Sequence, residues 1–128
     1  MKSNTHYRKD YGKQGETSVA KALCTQGFTI LASNYATPLG EVDIVAQHKN
    51  LIVFVEVKVR SSRYFDLSTV ITPSKQRKII CAAKHFMASY AYQHHDIAYR
   101  FDVALIEPNS LGTPTLTYLA DAFRDHET

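Results

Sequence analysis

The stretch GEVDIVAQHKNLIVFVEVKVR, Gly40 to Arg60, decides the fold. Two runs of apolar, largely β-branched residues, Val42 to Gln47 and Leu51 to Val59, flank a short polar break, which predicts two strands of a hairpin. With Lys49 and Asn50 as the central turn residues, His48 opposes Leu51, Gln47 opposes Ile52 and, by continuation, Asp43 opposes Glu56. Asn tolerates the positive φ that such turns demand. Opposed residues share a face, with Cβ atoms about 4.5–5.5 Å apart. Lys58 follows Glu56 by two positions and projects from the same face, and Glu41 precedes Asp43 by two. A turn one residue longer or shorter would send Asp43 and Glu56 to opposite faces.

Like charges placed opposite each other in a sheet are destabilising, so something positive is expected between the two acids. A hard divalent cation such as Mg²⁺ takes carboxylate oxygens and keeps several waters. It can polarise a phosphate and activate a water, while a lysine orients that water or stabilises developing charge. The same three residues equally describe a structural ion cluster in which Lys58 bridges Asp43 and Glu56. Residue pattern alone leaves both open.

The rest of the chain sets the frame. At 128 residues, with 45% apolar and 21% charged side chains, it has the size and balance of one globular domain. The net charge of +3 and a pI of about 8.9 are compatible with a polyanionic partner. Cys24 and Cys81 sit far apart with no CxxC or Cys/His neighbours, which predicts reduced, partly buried thiols rather than a zinc site. The polar start and the lack of a long apolar run exclude a signal peptide and a membrane span, and a cytoplasmic location is expected.

Working outward, residues 1–12 read as a flexible arm, 13–123 as a single domain and 124–128 as an exposed tail. A helix is predicted over Gly15 to Gln26, a strand over Phe28 to Ala32, and a turn over SNYATPLG. Thr72 as N-cap and Pro73 as first helical residue start a second helix, with Ile79, Ile80, Ala83, Phe86, Met87 and Tyr90 as its apolar stripe. Strands over Ile97 to Glu107 and Thr115 to Leu119 complete an α-β-β-β-α-β-β order, with the chain exposed from Asp121. That order implies a mixed sheet with helices packed on it.

Glu16 falls on the stripe of Val19, Ala20 and Leu23. By position alone it reads as an edge residue whose carboxylate reaches water. Gln76 falls on the stripe of the second helix, among Lys75, Arg77 and Lys78. Cations at a helix start oppose the macrodipole, so an anion nearby would account for them. Arg100 and Asp102 face together and read as a structural pair. Tyr11, Tyr64 and Phe65 read as packing aromatics, and His94, His95 and Asp96 as polar residues of a helix end rather than metal ligands.

Taken together, GKQGETSVAKAL, GEVDIVAQ, LIVFVEVKVR, ITPSKQRKI and YRFDVALIE, in this order and spacing, closely resemble the YraN-like family of small bacterial proteins. That family is placed among the PD-(D/E)xK nucleases, near the Holliday-junction resolvases. The resemblance runs from about Gly12 to Phe123, with GEVD standing where the superfamily name suggests Pro-Asp. It implies a restriction-endonuclease-like α/β fold, three layers with a central mixed sheet. It implies Asp43 and Glu56 as ligands of Mg²⁺ or Mn²⁺, Lys58 as the catalytic lysine, Glu16 as the helix acid completing the site, and Gln76 as a further polar site residue. Lys13, Arg60, Lys75, Arg77 and Lys78 become a nucleic-acid surface. The expected activity is metal-dependent endonucleolytic hydrolysis of DNA, at branched or structured substrates such as four-way junctions, with a homodimer suggested by analogy. The other class of function is a nucleic-acid-binding or assembly protein that keeps the fold without turnover, since fold does not establish activity.

Overall fold

The computed structural model describes residues 4–60, 71–90, 96–109 and 111–125, with side chains from residue 12 onward. The elements follow the predicted order: α1 (Asn4–Thr25), β1 (Thr29–Thr37), β2 (Gly40–His48), β3 (Leu51–Val59), α2 (Pro73–Tyr90), β4 (Ala98–Glu107) and β5 (Thr115–Phe123). They form one five-stranded sheet in the order β1-β2-β3-β4-β5. Every neighbour is antiparallel except the central pair β3–β4, which runs parallel. Parallel neighbours need a crossover, and α2 lies within it.

The two helices cover opposite faces of this mixed sheet. Val19 and Leu23 of α1 pack with Ile44, Ala46, Val53, Val55, Ala104 and Ile106. Ile79, Ala83 and Met87 of α2 pack with Val45, Ile52, Phe54, Phe101 and Val103 on the other side. Both faces of β3 are therefore buried, which is why Leu51–Val59 reads as a continuous apolar run rather than an alternating one. The result is an α/β fold of three layers, helix on sheet on helix, consistent with the nuclease-like architecture.

Three boundaries differ from the sequence expectations. Helical backbone begins at Asn4 rather than Gly15, and no proline intervenes. β1 runs through the expected turn to Thr37, absorbing a bulge between Ile30 and Ala32 and a φ of 52° at Asn34. The turn is only Pro38 and Leu39, held by the Thr37 hydroxyl, which accepts the N–H groups of Leu39 and Gly40. β5 likewise continues past Leu119, with Asp121 at φ 54°, so that Phe123 stacks on Phe101 at 5.1 Å. Asp125 then pairs with Lys84 at 2.8 Å, so the expected exposed tail starts tied to α2. In the two strands, sheet pairing or a core contact overrides local turn chemistry.

Cys24 and Cys81 are free thiols and are exposed rather than partly buried, each lying beside the apolar stripe of its helix. Among the described residues no helix is long and apolar enough to cross a membrane. Tyr64, Phe65, His94 and His95 lie outside the described residues, as does the side chain of Tyr11.

Candidate functional site

The hairpin has the two-residue turn. Lys49 takes the left-handed conformation, at φ 54°, and the pairs run from His48↔Leu51 to Ile44↔Val55. There the ladder stops. The N–H of Val57, which would extend it, donates to the Oδ2 of Asp43 at 2.8 Å. The facial alternation breaks at the same place: Ile44 and Ala46 face α1, yet Val42 joins Val45 on the α2 side. A carboxylate has thus replaced a backbone acceptor, and β2 and β3 part just where the two acids stand.

Asp43 and Glu56 meet in this opening through a hydrogen bond between their carboxyl groups. Two carboxylates at that distance cannot both be charged without cost. Burial raises the carboxyl of Glu56, and the charge of Asp43 adds to it, so that it titrates at about 7. Burial raises Asp43 as well, against the opposing effect of the Val57 N–H. The shared hydrogen bond favours the charge on Asp43 and the proton on Glu56.

The cation closest to the pair comes from an unexpected direction. Lys75, in the first turn of α2, places its Nζ 3.6 Å from Glu56 Oε1. Its charge acts on both acids, whereas Lys58 contributes a weaker attraction to Glu56. The anion that accounts for a lysine at this helix start is internal.

Glu16 approaches from α1. Its carboxyl is raised by burial first and then by Asp43, with Glu41 adding repulsion, while a hydrogen bond with Asn34 and the charge of Lys13 oppose these. Half-buried, it feels the charge of Asp43 from the edge of the opening, with part of its surface in solvent. The neighbouring Gly15 lets the helix come this close, since a Cβ there would lie 3.2 Å from Ile106 Cγ1. Gly40 does the same for α2. A Cβ at Gly40 would sit 2.2 Å from the carbonyl oxygen of Lys78, a clash with backbone that only glycine avoids. That contact presses the start of β2 onto α2 and keeps Lys75 over Glu56.

Other expected site residues are spread around this centre. Gln76 turns back to its own loop, its Nε2 donating to the Ile71 carbonyl at 2.9 Å. Arg77 is exposed and lines a small cavity of about 220 Å³ with Cys81, Lys84 and Arg124. Lys78 is exposed. Lys13 borders a groove of about 560 Å³ between α1 and the β4–β5 edge, shared with Ile106 and Leu116. Arg60 continues the parallel ladder, its N–H donating to Ile106 O at 2.8 Å. Of the five expected phosphate contacts, Lys75 alone pairs with the acids among the described ion pairs.

Sequence reasoning missed two partners. Asn34, expected within a turn, instead lies on a bulged strand at positive φ, and its side chain hydrogen-bonds Glu16. Lys75 carried a legible signal in its position against the helix dipole, but nothing in the residue pattern said which anion it would find.

One strand over, where Asp102 pairs with Val55, the expected Arg100–Asp102 pair is the centre of a second polar cluster. Asp102 is fully buried and accepts two bonds from Arg100, at 2.8 and 3.0 Å, one from the Tyr118 hydroxyl at 2.5 Å and one from the Asp121 N–H at 2.8 Å.

Comparison with known proteins places the chain. The model of the uncharacterised protein family UPF0102 matches residues 15–106. A UPF0102 protein of Bradyrhizobium diazoefficiens is 45% identical over 100 residues, covering 78% of this chain and 74% of the relative. One from Treponema pallidum is 38% identical over 122 residues, covering 93% and 96%. One from Rhodopseudomonas palustris is 42% identical over 100 residues, covering 78% and 77%. The matched segment contains Glu16, Asp43, Glu56, Lys58 and Lys75, the whole of the opening between β2 and β3. In agreement with the YraN-like resemblance of its motifs, the chain belongs to the uncharacterised protein family UPF0102.

Proposed function

We propose that this protein is a metal-dependent endonuclease that hydrolyses DNA phosphodiesters, acting on branched or structured DNA such as four-way junctions. The observation that carries this reading is the parting of β2 and β3, which leaves Asp43 and Glu56 facing each other with too little positive charge between them. The donor set suits Mg²⁺ or Mn²⁺: hard carboxylate oxygens and no thiolate or imidazole. Asp43 and Glu56 would hold the ion, with Glu16 completing the set. Bound there, it would supply a Lewis acid for a phosphoryl oxygen and a water of lowered pKa.

The chain's own residues do the rest. Lys58 lies beside the pair to orient the attacking water and stabilise charge on the phosphate. Glu16, its carboxyl raised by burial and by Asp43, can hold a proton near that water. Lys13, Arg60, Lys75, Arg77 and Lys78 would position the duplex through its phosphates without reading its sequence. A homodimer would present two such openings to the two strands of a junction.

The alternative is a nucleic-acid-binding protein without turnover. It is favoured by one observation: among the described residues, no three His, Cys, Asp or Glu side chains are grouped closely enough to enclose a metal ion. Labelled linear, flap and four-way-junction DNA, incubated with Mg²⁺, Mn²⁺ or chelator, separates the two. Cleavage that requires metal and is lost in Asp43→Ala and Glu56→Ala supports the nuclease. Cleavage that survives both substitutions sinks the assignment, and tight binding with no cleavage on any substrate favours the alternative.

A further inference from the structure

The first turn of α2 is built against its own local electrostatics. Thr72 caps the helix, its Oγ1 accepting the Lys75 N–H at 3.2 Å, which makes Lys75 the third helical residue. Unpaired N–H groups and the macrodipole make that position positive, and a carboxylate is the residue that suits it. The first turn of α2 carries no acid. A lysine there must be answered from outside the helix, and Glu56 answers it from the sheet.

The pair is asymmetric. The Glu56 side chain is only 7% exposed, while that of Lys75 keeps 38% of its surface in solvent. The lysine therefore has a way out and the glutamate has none. Its backbone is held, because Gly40 packs against the Lys78 carbonyl one turn later. The ammonium can still swing on its flexible four-carbon stem as a point charge. It occupies the place where positive charge relieves both Asp43 and Glu56.

We propose that Lys75 is a built-in counter-ion of the acid pair, which a divalent cation displaces from Glu56 and which then engages a phosphate of the bound duplex. This rests on the metal-site reading above and adds an order of events to it. At rest the lysine closes the opening. Entry of the cation frees a positive charge beside it, and a phosphate that captures the lysine removes the cation's competitor. By linkage, cation and duplex then strengthen each other's binding through one side chain.

The test is calorimetric titration of Mn²⁺ into the intact chain without nucleic acid, comparing wild type with Lys75→Met, Lys75→Arg, Lys58→Met and Glu56→Gln. Removing the competitor should tighten Mn²⁺ binding about three- to fivefold in Lys75→Met, the range of a partly exposed ion pair. Lys58→Met should change it less, and Lys75→Arg should stay near wild type. Duplex oligonucleotide affinity should rise with Mn²⁺ in wild type and lose that rise in Lys75→Met. Circular dichroism keeps misfolding apart from these effects. If wild type binds Mn²⁺, is weakened by Glu56→Gln, and yet Lys75→Met binds no tighter, the counter-ion role is overturned and the metal site stands. If wild type takes up no Mn²⁺, both fall.

Discussion

The sheet buries acid in two places, and the two are built in opposite ways. Asp102 has no exposed surface and four donated hydrogen bonds, two of them from an arginine fork. Each carboxylate lone-pair direction has a donor, so the charge is stable where it is. Asp43 and Glu56 lie in a strand opening and share one proton. Their described donors are the Val57 N–H on Asp43 and an ammonium 3.6 Å from Glu56. A buried acid with its full set of donors is a staple. Two buried acids facing each other with few donors are left under-compensated.

The contrast is sharpest when each acid loses its charge. Asp102→Ala leaves Arg100 and the Tyr118 hydroxyl around an emptied position and unties β4 from β5. The expected cost is about 3–5 kcal/mol of folding stability, as for other buried pairs broken on one side, read from denaturant unfolding at neutral pH. A cost near zero would show that Asp102 is no staple.

Glu56→Gln should go the other way. The ordinary carboxyl value is 4.5, and in the folded chain Glu56 titrates at about 7. Between these values the folded state holds a proton that the unfolded state has released. The glutamate therefore costs nothing below 4.5, its penalty grows between 4.5 and 7, and it is fully present above 7. At pH 8, without metal, the Gln variant should be more stable than wild type by up to about 3 kcal/mol. The gap should close as pH falls to 4. A variant that is less stable at pH 8 would make this acid pair a second staple and erase the comparison.

How much of this was legible beforehand follows the same division. The hairpin register could be read because a two-residue turn and two apolar runs leave few alternatives, and it holds from His48↔Leu51 to Ile44↔Val55. The departure at Asp43 could not. It depends on a side chain taking a backbone N–H, which strand periodicity does not encode. Arg100 and Asp102 could be read as a pair because they are two apart on one strand, but Tyr118 and the Asp121 N–H come from β5 through its bulge. The approach of Gly40 to Lys78 was likewise invisible, since a glycine beside a turn looks like any turn glycine until a helix is laid against it. Local pattern carried the elements and the identity of the acids. Tertiary approach decided which lysine meets them.

The finest distinction between the two places is how each responds to losing a single donor. Tyr118→Phe removes one of four bonds to Asp102 and leaves the aromatic ring in place. Burial and the hydrogen bond to Asp102 push the phenol well above its ordinary range, so at neutral pH it is a neutral donor throughout. Arg100 and the Asp121 N–H still satisfy the carboxylate. The loss should be about 1–2 kcal/mol, the value of one hydrogen bond to a charged group, and flat from pH 6 to 9. A pH-dependent loss would mean that Asp102 begins to titrate once one donor is gone. Its cluster would then be only marginally satisfied, and the difference from the Asp43–Glu56 opening would be one of degree.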